Sequence, residues 1–159
     1  MALVKVGSTF TRRLAAFPLP VIAACSGHAI AKGAFVLLSV DYRIGVEGGF
    51  KLGLNEVAIG MTMHHAGIEI ARHRMPAPYF YRSVVNAEIF NPETAIAAGF
   101  LDEIVAPEQL AERATAVATQ MKQLNMRAHK QTKLKTKAAY LEKLDWCIEQ
   151  DAAHFDVLG

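Results

Sequence analysis

Pro20–Ile44 reads PVIAACSGHAIAKGAFVLLSVDYRI, and the order of its segments decides the fold. Val21–Cys25 is an unbroken run of small and β-branched apolar residues, the pattern of a strand buried on both faces. Ser26-Gly27 ends it. His28–Gly33 then reads as a turn, and Ala34–Val40 as an apolar run long enough and Leu/Ala-rich enough for a buried helix. A strand, a glycine-containing turn and a helix start aim unpaired backbone N–H groups at whatever lies above the turn. Amides so placed can hold an oxyanion.

Upstream, Leu3, Val6, Phe10, Leu14 and Phe17 recur at three- and four-residue steps, which predicts an amphipathic helix with Arg12 and Arg13 off the stripe. Pro18 and Pro20 stop it. Downstream, Tyr42, Ile44 and Val46 alternate with Arg43, Gly45 and Glu47, a strand with one buried face. Gly48-Gly49 permits a tight turn into a short return strand at Phe50–Leu52. Helices are expected over Met63–Arg74, with Ile68 and Ala71 inward, and over the aromatic-rich Pro78–Asn86. Asn91-Pro92-Glu93 is a helix start and Gly99 a helix end, with a short strand expected in Phe100–Val105. From Pro107 the stripe Leu110, Ala114, Val117, Met121, Leu124 predicts a long helix, and helical pattern continues through Arg127–Leu144. Strands alternating with helices, then helices alone, indicate an α/β core over 1–106 and a helical section over 107–159.

Three blocks of the sequence resemble the enoyl-CoA hydratase/isomerase (crotonase) family. Pro20, Gly27, Ala29, Gly33, Leu37, Asp41, Arg43 and Ile44 match its signature P-V-I-A-A-x-x-G-x-A-x-G-G-G-x-x-L-A-x-x-x-D-x-R-I. Leu52–Gly60, LGLNEVAIG, resembles F-G-x-P-E-x-x-x-G, and Asn91–Val105, NPETAIAAGFLDEIV, resembles A-x-x-A-G-L-V-D-x-V. The resemblance implies a crotonase-like (ClpP/crotonase) ββα spiral core, here without the family's N-terminal strands, and an acyl-CoA thioester as substrate. It implies no metal or redox cofactor, coenzyme A belonging to the substrate. It further implies a homo-oligomer, trimer or hexamer, assembled through the C-terminal helices.

Glu56 lies in the Gly-bounded segment Gly53–Gly60, where the sequence offers it no charge partner. Read alone it is an exposed loop glutamate; by resemblance it is the family's proton-transfer glutamate, for which a raised pKa would suit the task. The resemblance sets Ala31-Lys32-Gly33 on the family's G-G-G turn. Backbone N–H groups of Lys32 and Gly33 are thereby implied as oxyanion donors, and Ala29, Ile30 and Ala31 as substrate-binding residues. The Lys32 side chain itself reads as a solvated turn lysine. Phe35 stands where hydratases of the family place a second glutamate, which points away from two-carboxylate water addition. His64-His65 fall at a helix N-terminus beyond Glu56, and an imidazole there could relay protons; His65 is taken as the second catalytic candidate, with Glu69 one turn on. His28 reads as structural, and His73, His129 and His154 show no ligand spacing. Asp41 and Arg43 read as a structural ion pair or cap.

With 159 residues, 52% hydrophobic and 20% charged, the chain can fill a core of its own. Cys25 and Cys147 have no metal-ligand spacing and suit reduced thiols of a cytoplasmic protein. No apolar run is long enough to span a membrane. A net charge of +2 does not argue for nucleic acid. The lysines of 127–143 lack interleaved aromatics, so a solvated face is the expected reading and coenzyme A phosphates a sharper one. Two rival classes stand beside the enzyme: a non-catalytic crotonase-like subunit that binds acyl-CoA or only assembles, and an RNA-binding protein.

Overall fold

Among the described residues, two three-stranded sheets organise the molecule. The structure, a computed structural model, describes residues 2–157 and the side chains of residues 3–153. In chain order it runs α1 (Ala2–Ala15), β1 (Ile22–Ala24), β2 (Ala29–Ile30), α2 (Lys32–Ser39), β3 (Tyr42–Val46) and β4 (Leu52–Gly53). A 3-10 turn over Val57–Ile59 follows, then α3 (His65–Arg74), α4 (Ala77–Val84), β5 (Ile89–Phe90), α5 (Pro92–Ala98) and β6 (Glu103–Val105). The chain closes with α6 (Leu110–Lys122), α7 (Met126–Thr136) and α8 (Ala138–Val157). One sheet has the order β1-β3-β6, all parallel; the other has the order β2-β4-β5, with β2 parallel and β5 antiparallel to β4. Phe35, Leu38, Leu52, Leu54, Ile70, Phe100 and Leu144 belong to the main core, and Ile44, Val46, Leu110 and Val117 form a second cluster. Local signals acted as read at α5. Asn91 Oδ1 accepts from Thr94 N–H at 2.8 Å, and Gly99 takes φ 90° to end the helix.

Sheet position overturns two expectations about burial. Val21–Cys25 is not buried on both faces: β1 is an edge strand and its residues are half-buried or exposed. β3 was expected to bury one face and is central instead, with Arg43 and Gly45 as buried as Ile44 and Val46. A Cβ at Gly45 would come within 2.5 Å of Leu101 Cδ1, so the crossing of β3 under Leu101 requires glycine. Nor does Gly48-Gly49 make a hairpin. It carries the chain out of the first sheet, and β4 pairs with β2 in the second.

Asp41 and Arg43 are structural, but not partners of one another. Arg43 donates through Nε and Nη2 to both carboxylate oxygens of Asp102, at 2.8 and 2.7 Å, and its backbone N–H donates to the same group. Burial opposes ionisation of Asp102, yet the hydrogen bonds and charge of Arg43, helped by Arg74, hold its carboxyl below the usual value. Asp102→Asn leaves the buried guanidinium without a counter-charge and should cost about 3 kcal/mol. Because the folded pKa is depressed, that contribution is present above pH 3.8 and fades as pH falls through the folded value. Denaturant titrations of both proteins should therefore differ most at pH 7, and the difference should narrow as pH falls below 3.8.

The C-terminal helices fold back on the core and do not stand free. Leu110 and Val117 of α6 are buried against β1 and β3, while Leu124 is exposed. α8 packs on α3 and α1 through buried Tyr140, Leu141, Leu144, Cys147 and Ile148. The lysine face is not simply solvated either: Lys133 is buried on Asp41 and Leu19 O, and Lys137 reaches Ala15 O and Asp41. The apolar stripe of α1 points outward, with Leu3 82%, Val6 65% and Phe10 49% exposed. Its inward face is Ser8, Thr11 and Ala15, small residues that allow close approach to α2 and α8. No helix among the described residues is long and apolar enough to cross a membrane.

Candidate active site

Ala31 sets the geometry of the turn between β2 and α2. Its N–H donates to Gly53 O at 3.0 Å, and its C=O accepts the first intrahelical bond, from Phe35 N–H, at 3.0 Å. Pinned on both sides, it adopts φ 50°, ψ −114°, a conformation rare for a residue with a Cβ. Such backbone strain costs about 1–3 kcal/mol and recurs where a site must be held rigidly. The amides of Lys32, Gly33 and Ala34 precede the first hydrogen-bonded amide of α2 and, among the described residues, have no backbone acceptor.

Glu56 sits across from this turn at the start of the 3-10 turn, and only 7% of it is exposed. Its backbone C=O accepts from Ile59 and Met61 N–H, and Gly60 closes the loop with φ 80°. Of the carboxylate, buried Oε2 finds no hydrogen-bond partner among the described residues. Burial raises its pKa above the ordinary carboxylate value, and a hydrogen bond from its own backbone only partly offsets this. The exposed-loop reading of Glu56 is therefore corrected.

Glu56, Ala31, Lys32, Phe35 and His64 line one cleft of about 340 Å³, walled on the outer side by Leu3, Val4, Gly7 and Ser8 of α1 and by Ile59 and Met61. Its volume lies in the range of small-molecule sites, about 300–1,000 Å³. Lys32 is exposed, as read, but it is tethered. Its stem lies across Gly7, whose missing Cβ leaves the room, and Nζ donates to Gly7 O and Thr11 Oγ1. Burial lowers its pKa to about 8. Phe35, 2% exposed, fills an apolar wall of the cleft.

The two adjacent histidines part company. His65 is exposed, its ring edge-on to Trp146 at 6.1 Å, so it does not line the cleft. Its backbone N–H and that of Ala66 donate to Asp151 at 2.7 and 2.9 Å, which fixes the start of α3. Glu69 lies near Arg72, at 3.8 Å, and does not orient an imidazole. His64, one residue earlier and extended at the cap position, turns its ring inward against Phe35 at 5.4 Å. The phase of the helix start decided between them, and that depends on Asp151, eighty-odd residues away in the chain.

Of the other residues implied by resemblance, Ala31 reaches the cleft, Ala29 is buried in the main core, Ile30 is half-buried in β2 and Gly33 is exposed at the start of α2. His28 is structural, its Nδ1 accepting from Lys51 N–H at 3.0 Å, and His73 stacks on Tyr140 at 3.8 Å. The side chain of His154 lies outside the described residues. Among the described residues, no three His, Cys, Asp or Glu side chains are grouped to hold a metal, and Cys25 and Cys147 are free thiols.

Known proteins share this arrangement of elements. A structure of an enoyl-CoA hydratase/isomerase family protein from Pseudomonas syringae is 61% identical, with TM-score 0.95, matching 96% of this chain and 66% of that one. A Mycobacterium tuberculosis protein, described as an enoyl-CoA isomerase in one structure and as a probable enoyl-CoA hydratase in another, is 39% identical, with TM-score 0.92 over 96% of this chain and 67% of that one in the first. The crotonase-like fold expected from the sequence is the fold found. A curated relative, Probable enoyl-CoA hydratase echA17 from Mycobacterium avium, is 30% identical over 105 residues, 66% of this chain and 40% of the relative. The chain thus spans about two thirds of the solved structures, and its matched stretch less than half of the curated relative. A sequence model described as Enoyl-CoA hydratase/isomerase matches residues 5–158, from the first turns of α1 past Ala31, Glu56 and His64 to the end of α8. That span leaves almost no residue unaccounted for, and the chain belongs to the enoyl-CoA hydratase/isomerase family.

Proposed function

We propose that the chain acts on an enoyl-CoA thioester, moving a proton with Glu56 while backbone N–H groups at the start of α2, those of Lys32 and Gly33, hold the thioester oxygen. The observation that carries this reading is the buried, unpartnered Oε2 of Glu56 in a cleft that also contains Lys32 and the turn before it. A desolvated carboxylate is a stronger base than one in water, and an oxyanion forms best beside donors that need no reorganisation. Glu56 takes a proton from the carbon next to the thioester carbonyl. The electron pair moves onto the thioester oxygen, and reprotonation further along the chain shifts the double bond. Coenzyme A is part of the substrate, and the scheme uses no metal or redox cofactor. Both isomerase and hydratase names occur among the similar proteins; Phe35 favours isomerisation. Turnover of 3-enoyl-CoA and 2-enoyl-CoA thioesters tests the proposal. Tight binding of both without turnover would instead select a non-catalytic acyl-CoA-binding subunit.

A homo-oligomer, trimer or hexamer, is proposed with it. The exposed row Leu3, Val6, Phe10 of α1 supports burial against a further surface, in place of the C-terminal helices that the chain itself already covers. Sedimentation at micromolar concentration should show a species above monomer mass, and a compact monomer would count against it. Tethering of Lys133 and Lys137 to Asp41 removes two charges from any nucleic-acid surface.

A further inference from the structure

The cleft holds a second titratable side chain that can move a proton. Among the described residues, the His64 imidazole makes no hydrogen bond, and the residue lines the same cleft as Glu56. The ring is held in place by packing. A Cβ on Gly67 would meet His64 Cε1 at 2.7 Å and Phe35 Cζ at 2.8 Å, so glycine at this place in α3 lets both rings seat against the helix. We propose that His64 is a second catalytic residue, a proton station that works with Glu56 during double-bond migration. This role rests on the thioester reading given above.

The steps balance. Glu56 carboxylate takes a proton from C2 of a 3-enoyl thioester, breaking C–H and forming O–H, and the electron pair passes to the thioester oxygen. The new carboxylic acid gives that proton to a ring nitrogen of His64, which becomes imidazolium while Glu56 returns to carboxylate. The imidazolium protonates C4, the enolate pair re-forms the carbonyl, the double bond settles at C2–C3, and His64 is neutral again. The charges around the ring suit a short-lived cation. Burial disfavours the imidazolium, Asp151 on α8 favours it, and Lys32 on α2 and neighbouring His65 disfavour it, which together keep the resting ring neutral and its cation a ready acid. Phe35, in contact with the same ring, leaves an apolar wall beside the imidazole and no second acceptor there for a reacting water.

The route of the proton tests this. A lone carboxylate returns the proton it took, whereas an imidazolium in a partly exposed site exchanges with solvent. With 3-enoyl-CoA deuterated at C2 and the natural protein in ordinary water, most C4 hydrogen in the wild-type product should come from solvent. His64→Gln should raise deuterium retention at C4 several-fold and lower kcat about tenfold or more; His64→Ala should regain exchange when imidazole is added. A slower variant with unchanged retention would show a packing role and overturn the proposal. A wild type that turns over no enoyl thioester would overturn the thioester reading itself, and the His64 role with it.

Discussion

Glu56→Gln should lower kcat by about 10²–10⁴-fold and leave KM nearly unchanged, the range that general acid–base groups contribute. Glutamine keeps the size and most of the hydrogen-bonding capacity of the side chain but cannot accept a proton from carbon. The cleft should keep its shape, because Glu56 Oε2 makes no hydrogen bond that the substitution would break and the loop is held by backbone bonds to Glu56 O. A second measurement separates chemistry from misfolding. The folded pKa of Glu56 is raised, so its contribution to stability is fully present below the unfolded value near 4.5 and is lost as pH rises through the folded value. At pH 7 the wild type bears a desolvated carboxylate that the Gln variant does not. The variant should therefore be the more stable protein in thermal melts at pH 7, with the difference shrinking toward pH 4. Unchanged turnover would remove Glu56 from the mechanism. Lost turnover with a lowered melting temperature would point to damage instead.

Isomerisation should outrun hydration in the wild type because of Phe35. Adding water across a double bond requires one group to hold and deprotonate the water while another delivers a proton to carbon. At the place where two-glutamate relatives implied by the sequence pattern have a carboxylate, this chain has a buried phenyl ring. Losing one acid–base partner raises the hydration barrier by about 3–5 kcal/mol, some two to four orders of magnitude in rate. Moving a double bond needs no bound water. With 3-enoyl-CoA the first product should be 2-enoyl-CoA, and with 2-enoyl-CoA little 3-hydroxyacyl-CoA should form at the same enzyme concentration. Fast hydration with Phe35 intact would sink the argument. Phe35→Glu is the converse probe: restored water addition without loss of isomerisation would tie the selectivity to this one wall.

The sequence alone determined the family and most of the succession of elements, though it read β2 as part of a turn and left β5 unread. Those signals are local: an Asn-Pro-Glu cap, an αL glycine at Gly99, proline stops, and three blocks at fixed separations in which backbone chemistry depends on a few residues. Glu56 was legible for the same reason, since it falls inside a block. What the sequence left open is decided by partners distant in the chain. A run of apolar residues does not say whether its strand lies at an edge or in the middle, because that depends on which strands pair with it; β1 and β3 exchanged their expected places on this account. Helical periodicity found the stripe of α1 but not its direction. The inward face went to Ser8, Thr11 and Ala15 because close packing against α2 and α8 rewards small side chains whose hydroxyls are satisfied locally, as Thr11 Oγ1 is by Ser8 O. The choice of His64 over His65 turned on a carboxylate from α8 that fixes where α3 begins, and the seat of its ring on the absence of a Cβ at Gly67. Only tertiary structure could decide these, because each is set by the free energy of a contact between residues that the chain keeps far apart until it has folded.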